Sequence, residues 1–366
     1  SFKNSTELFL LDRMIENGFL STDIKLKFDE KGNVKEDYQI TGIIKNVKLN
    51  FLNKIKANNL NFEFNIQRNK YSLTKIKGDI NEIKLSSPSI EVIKKKNLFL
   101  VEGKILSSKK EFDKNQFNIL TTNFLKNQKI EKLIFKSEND ISFNLSNKLK
   151  ISDLDIKSKV NLDQLIIKNS FKNLKTYLPD IKELINFENH KITIDYNKNN
   201  LNIKGEGKIL GKDNLDVISY EVIKNNSKFR FNTKTKLKKN KLLIEFLDYE
   251  KKENVNASII INGSFKNDNV INFNLISLIE KNNKILFKNL NLSKDFKLIS
   301  LDNFIFDYLN SHQIKNELSM KKNNLNYTIE GKNFDATELI NKIMDNDSEN
   351  SSSLSNFNSK ISSIKV

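Results

Sequence analysis

Val47-Lys48-Leu49-Asn50-Phe51 and Leu60-Asn61-Phe62-Glu63-Phe64-Asn65-Ile66 alternate apolar and polar side chains without a break. A period of two puts every apolar group on one side of an extended chain and every polar group on the other. That is the mark of a strand with one dry face and one wet face. The pattern returns at Ile192-Thr193-Ile194-Asp195-Tyr196 and at Phe229-Arg230-Phe231. It also pairs Leu133 with Phe135, Leu201 with Ile203, and Phe304 with Phe306 and Tyr308. So many strands create a very large apolar surface, and few helical segments are available to cover it.

The punctuation between strands is unusual. The 366 residues include only 10 Gly, 2 Pro and no Trp. Asn supplies the turns instead, because it tolerates the left-handed region and bonds its own backbone. Asn199-Asn200, Asn225-Asn226, Asn282-Asn283, Asn323-Asn324 and Gly32-Asn33 each divide two apolar-periodic runs, as hairpin turns of a meander do. No fixed repeat period emerges, which favours a continuous open sheet over a propeller or solenoid.

The 62 basic and 45 acidic residues leave a net charge of +17. Such an excess suits nucleic acid or an anionic membrane surface. The only arginines, however, are Arg13, Arg68 and Arg230, whereas base readout favours the planar guanidinium fork. The lysines are scattered over the wet positions of strand after strand, with the densest cluster at Lys234 to Lys241. Compositional drift towards Lys, Asn, Ile and Phe on a solvated face accounts for them, and nucleic acid is not an expected partner.

The absence of Cys excludes disulfides and thiolate chemistry. No run approaches the roughly 18 apolar residues that span a bilayer, and no signal peptide is visible. The chain begins at Ser1 and ends in the strand-like Lys360 to Val366, so it is expected to be a piece of a longer protein.

Helical spacing marks three segments. Ser5 to Asn17 carries Leu8, Leu11, Met14 and Ile15 on one face, with Ser5 as N-cap and Asn17-Gly18 as a stop. Phe171 to Phe187 carries Leu174, Leu178, Ile181, Leu184 and Ile185, with a break at Pro179. Asp335 to Asp345 carries Leu339, Ile340, Ile343 and Met344, with Asp335 and Glu338 in a capping-box arrangement. A short helix near Phe117 to Leu125 is a fourth candidate. The stretch Asp345 to Ser355 reads as a polar loop. The organisation expected is a β segment with an N-terminal helix over residues 1–170, a helical insertion, β segment and closing helix over 171–345, and a polar loop leading to a further strand over 346–366.

Motifs for chemistry are missing. His190 and His312 have no metal-ligand or nucleophile pattern beside them and read as turn or surface histidines. Gly205-Glu206-Gly207 and Gly211 do not open a helix, so they are no phosphate-binding loop. Asp153 and Asp155 fall on the wet side of a strand. Asp345, Asp347 and Glu349 lack the Gly and closing Glu of a calcium loop. No enzyme, metal or cofactor is expected.

The question of function is what lies against the dry face. A second sheet or helix layer would give a closed core, as in a structural or adhesion-type β protein with no ligand. An open groove would instead take acyl chains. Burial is worth about 0.8 kcal/mol per CH₂, so a 16-carbon chain gains roughly 10 kcal/mol before ordering costs. The candidate lining residues are Val47, Leu49, Phe51, Phe62, Phe64, Leu133, Phe135, Ile192, Ile194, Tyr196, Phe229, Phe231, Phe304 and Phe306.

Between Tyr327 and Ile340 a strand ends in Gly331, and Phe334-Asp335-Ala336 leads into a helix through Leu339-Ile340. This resembles the G-x-x-F-D-A-x-x-L-I element of the bacterial AsmA-like superfamily, especially its long YhdP- and TamB-like members. The stretch around Tyr177-Leu178-Pro179, followed by amphipathic strands, is similar to the region just upstream in that family. The likeness rests on motif over Phe171 to Asp345 and on strand pattern elsewhere. It implies a mainly β protein, a long twisted antiparallel sheet with few helices whose open apolar groove carries phospholipid between the inner and outer membranes. It also implies a periplasmic location, an inner-membrane anchor outside this chain, possible envelope-protein partners at the groove ends, and no catalytic residues.

Overall fold

The computed structural model describes residues 15–35, 37–51, 55–81, 83–112, 130–148, 150–168, 174–181, 183–210, 216–266, 270–294, 297–324, 326–346 and 360–365. Strands dominate them, and nineteen strands belong to one sheet. The chain divides into two compact units, the first holding Ser1–Asn127, Lys132–Leu162 and Ile192–Lys198 and the second the remainder.

In the first unit β1 (Ile15–Lys25), β2 (Gln39–Phe51), β3 (Ile55–Gln67), β4 (Lys70–Ile80), β5 (Ile83–Lys95) and β6 (Leu98–Phe112) run as an antiparallel meander, each paired with the next. Then come most of β7 (Ile130–Ser146), part of β8 (Ile151–Lys168) and the end of β9 (Leu184–Asn197). In the second unit β10 (Asn200–Leu210), β11 (Asp216–Asn225) and β12 (Lys228–Leu237) form the next antiparallel run. A small hairpin, β13 (Leu242–Ile244) and β14 (Tyr249–Lys251), interrupts it through a 3₁₀ turn at Glu245–Leu247. The run resumes with β15 (Ala257–Phe265), β16 (Val270–Glu280), β17 (Asn283–Ser293), β18 (Leu298–Leu309), β19 (Lys315–Asn323) and β20 (Asn326–Asn333). β21 (Lys360–Lys365) is parallel to β20. In each unit the meander is open and does not close into a barrel.

The Asn-rich segments are the hairpin turns. Lys198, Asn226, Lys281 and Asn324 occupy the left-handed region in them, with φ between 50° and 56°. Gly32-Asn33 turns back under a bridge between Phe28 and Val34. Asn46, Asn59 and Lys75 also take positive φ, but inside β2, β3 and β4. The ladder skips register beside each of them. These are bulges, which bend the strand and strengthen its twist.

One expected helix and the end of another are corrected. Residues 15–17 belong to β1, and residues 1–14 lie outside the described ones. A Cβ on Gly18 would come within 2.4 Å of Val47 Cγ2. The glycine therefore admits close strand approach and does not stop a helix. Among the described residues of 171–187 one turn, α1 (Leu174–Tyr177), is helical; Pro179 follows in a turn and β9 starts at Leu184. Ile185 is buried in the core cluster while Leu184 beside it is exposed, so burial of this segment in a strand overrides the helical spacing.

The third helix is present as α2 (Thr337–Asn346). Ile340 N–H donates to Ala336 O at 2.9 Å, which makes Ala336 the N-cap; Asp335, one residue earlier, accepts the Thr337 N–H at 3.1 Å. The candidate helix near Phe117 and most of the loop to Ser355 fall outside the described residues.

Candidate functional site

The dry face of the second unit can be followed through the ladder. Ile203 pairs with Val222, Val222 with Phe231, Phe231 with Gly263 and Gly263 with Phe273. Phe273 pairs with Leu290 and Leu290 with Leu301. One strand position along, Phe229 stacks on Phe265 with ring centroids 4.7 Å apart. Phe231 meets Phe273 edge-on at 5.9 Å. The opposite face of β12 carries Lys228, Arg230, Asn232, Lys234 and Lys236, all exposed. A charge or amide therefore alternates with each Phe or Thr, as a one-sided strand requires.

One end of this face is covered. Leu242, Leu247 and Tyr249 of the β13–β14 hairpin pack on Leu237, Ala257, Leu278, Ile285, Phe306 and Tyr308, and Ile181 and Ile185 join them. Leu237 at this end is 1% exposed, whereas Phe265 at the other end is 39% exposed. A second buried cluster, Leu301, Met320 and Tyr327, lies across β18 to β20. Outside these clusters Leu201, Ile203, Val222, Phe229, Phe231 and Phe273 stay half-buried.

A buried polar frame fastens the covering hairpin. The Asp216 carboxylate accepts the N–H groups of Lys238 (2.7 Å), Lys239 (2.9 Å) and Asn240 (3.2 Å) and the Asn240 amide (2.6 Å). Fully buried Lys251 donates its ammonium to the carbonyls of Lys238 (2.9 Å) and Asn240 (2.6 Å). Burial lowers its pKa, and the charges of Asp216 and Glu280 act against that. Tyr249 donates to Glu280, and Tyr308 donates to Leu247 O at 2.7 Å. Burial raises the pKa of both tyrosines.

The first unit has a dry face of the same kind. Gly42 pairs with Phe64, Ile44 with Phe62 and Val47 with Leu60. Val47 and Phe64 are buried, Leu49 and Phe62 half-buried, and Phe51 lies in β2 with its side chain outside the described ones. Leu133 pairs with Phe112, and Phe135 stacks on Phe112 at 4.4 Å. Ile192, Ile194 and Tyr196 are half-buried and alternate with exposed residues along β9. Phe304 stacks on Phe306 at 4.4 Å in the second unit, with Phe306 under the covered end.

The histidine reading needs correction. His190 is 1% exposed and belongs to neither a turn nor the surface. One ring nitrogen lies 2.8 Å from Lys208 O and the other 3.3 Å from the Tyr220 hydroxyl. Desolvation holds its pKa below the ordinary value and pushes Tyr220 up to about 12. Gly205 and Gly207, which open no phosphate-binding loop, make room for these rings. A Cβ on Gly207 would meet the His190 ring at 2.3 Å, and one on Gly205 would meet Tyr220 at 2.4 Å. The signal for this in the sequence is the pair of glycines inside a strand, which marks close approach. His312 is in a turn and exposed, 3.8 Å from Asp248. Among the described residues no cluster of three or more His, Asp or Glu could hold a metal ion, and no helix is long and apolar enough to cross a membrane.

Comparison with known proteins finds no matching family model, curated protein or solved structure.

Proposed function

We propose that the dry face is a lipid-binding surface and that the chain is a non-enzymatic segment of a phospholipid carrier of the bacterial envelope. The observation that carries this reading is the gradient along the second unit's strands, from buried Leu237 to half-buried Phe231 to exposed Phe265. A closed core would bury the row at both ends. A half-open apolar row gains by taking up acyl chains and is a liability when bare. The periplasmic location, the inner-membrane anchor outside this chain, the envelope partners and carriage between membranes rest on the likeness of Gly331 to Ile340 to the AsmA-like element. No cofactor or nucleic acid enters the reading.

The test is native mass spectrometry of the protein purified from a bacterial envelope fraction without detergent exchange. Phospholipid bound in near-stoichiometric amount is the expected result. Protein free of lipid, with unchanged stability after solvent extraction, would favour the closed structural or adhesion-type reading.

A further inference from the structure

Glu91-Val92-Ile93-Lys94 followed by Phe99 recurs as Glu221-Val222-Ile223-Lys224 followed by Phe229, at the same spacing. The first copy joins β5 to β6 in one unit and the second joins β11 to β12 in the other. In both, the lysine pairs directly across the ladder with the phenylalanine, next to the hairpin turn. The ammonium of Lys94 lies 5.9 Å from the Phe99 ring centre, and that of Lys224 lies 5.5 Å from Phe229. The glutamate projects to the wet face and bridges a lysine of the preceding strand, Glu91 to Lys70 at 2.9 Å and Glu221 to Lys204 at 3.1 Å.

Period 2 puts Lys224 on the dry face, in line with Val222 and Tyr220. A cation at the end of an apolar row breaks the alternation, and it does so at the same place in both hairpins. From Lys224 the row leads past the Phe229–Phe265 stack to Phe231, Thr233 and Thr235, and then to the covered end at Leu237. Phe229 to Thr235 is six strand steps, about 20 Å. An acyl chain filling half of a bilayer's hydrocarbon core needs about 15 Å. An ammonium at the mouth, a row of Phe and Thr of that length and a closed far end match an anion on an acyl chain, and phosphate is the anion of the lipid class proposed above. Lysine serves phosphate as a compact point charge.

We propose that Lys224 holds the phosphate of a glycerophospholipid whose acyl chain lies along the strands towards the covered end, and that Lys94 is its counterpart in the first unit. This rests on the lipid reading of the dry face and adds the residues that hold the phosphate and the direction of the chain.

The test titrates the delipidated full chain with 1-lauroyl glycerol 3-phosphate and with 1-lauroyl glycerol, which differ only in the phosphate. The wild type should prefer the phosphate form by about fivefold at low salt, the scale of one partly exposed ion pair. The preference should shrink as salt rises. The double variant Lys94→Met, Lys224→Met should lose the preference and keep its affinity for 1-lauroyl glycerol, while the double Arg variant keeps both. Lys228→Met, on the wet face beside the same turn, should change neither. A preference that survives the Met variant, or falls equally with Lys228→Met, overturns the assignment. So does displacement of the lyso-lipid by an equal concentration of inorganic phosphate. A wild type that binds neither lipid overturns the lipid reading of the face itself, and this inference with it.

Discussion

Phe231 and Phe306 share a sheet face and a sequence pattern, yet their surroundings differ. Phe231 is half-buried near the open end, and Phe306 is 6% exposed beneath the β13–β14 hairpin, packed by Phe287, Phe304 and Phe334. A lysine at 231 can extend its stem over the face and bring the ammonium to water. At 306 it is trapped in an apolar core. Phe306→Lys should cost about 3–5 kcal/mol and Phe231→Lys about 1–2 kcal/mol, read from urea midpoints. Equal losses would mean that both positions are enclosed, and the half-open reading would fall.

At the scale of elements, the covering hairpin is the part whose stability is separable. Its entry, Lys238 to Asn240, hangs on one buried carboxylate, Asp216. Asp216→Ala strands three N–H groups and the Asn240 amide, and removes a charge that favours the Lys251 ammonium. The loss should be about 2–4 kcal/mol, concentrated in the hairpin. Trypsin should then cut at Lys238, Lys239 and Lys241 well before the flanking strands; unchanged cleavage there would remove Asp216 from this role. The hairpin turns offer a change of the opposite sign. Lys281 sits at φ 50°, a region that disfavours a side chain. Lys281→Gly relieves that, and despite its larger unfolded-state entropy should raise stability by about 0.5–1 kcal/mol. A lower melting temperature would show that the lysine gains more from its surroundings than its backbone loses.

At the scale of the whole molecule, three tyrosines whose hydroxyls are held from water set the alkaline limit. Unfolded tyrosines ionise near pH 10. In the folded chain Tyr220, Tyr249 and Tyr308 keep their protons to higher pH, Tyr220 to about 12. Above about pH 10 the unfolded chain binds fewer protons than the folded one, so stability falls as pH rises. Lys251 works the other way. Its folded pKa is lowered from 10.5, so between that lowered value and 10.5 the unfolded chain binds the extra proton and stability rises with pH. Tyrosinate absorbance should therefore appear in an early group and a late group, the late one together with loss of the β circular dichroism signal. A single early transition with the sheet intact would contradict the burial of these three hydroxyls.

Much of this was legible in the chain itself. The alternation at Leu60 to Ile66 and Phe229 to Phe231 specified strands with one dry face, because successive side chains of an unbulged strand point to opposite faces. The Asn pairs specified hairpins, because Asn favours turn backbone, although Lys198 and Lys281 take the left-handed position in two of them. Tertiary structure decided the rest. Leu184 and Ile185 carry helical spacing and still join a strand, since burying Ile181 and Ile185 under the hairpin outweighs a propensity of tenths of a kcal/mol. The burial of His190 over Gly207, and the closing of one end of the row by residues 238–255, depend on which strands become neighbours. Parity states which side of a strand is dry; only the assembled ladder determines what, if anything, lies against it.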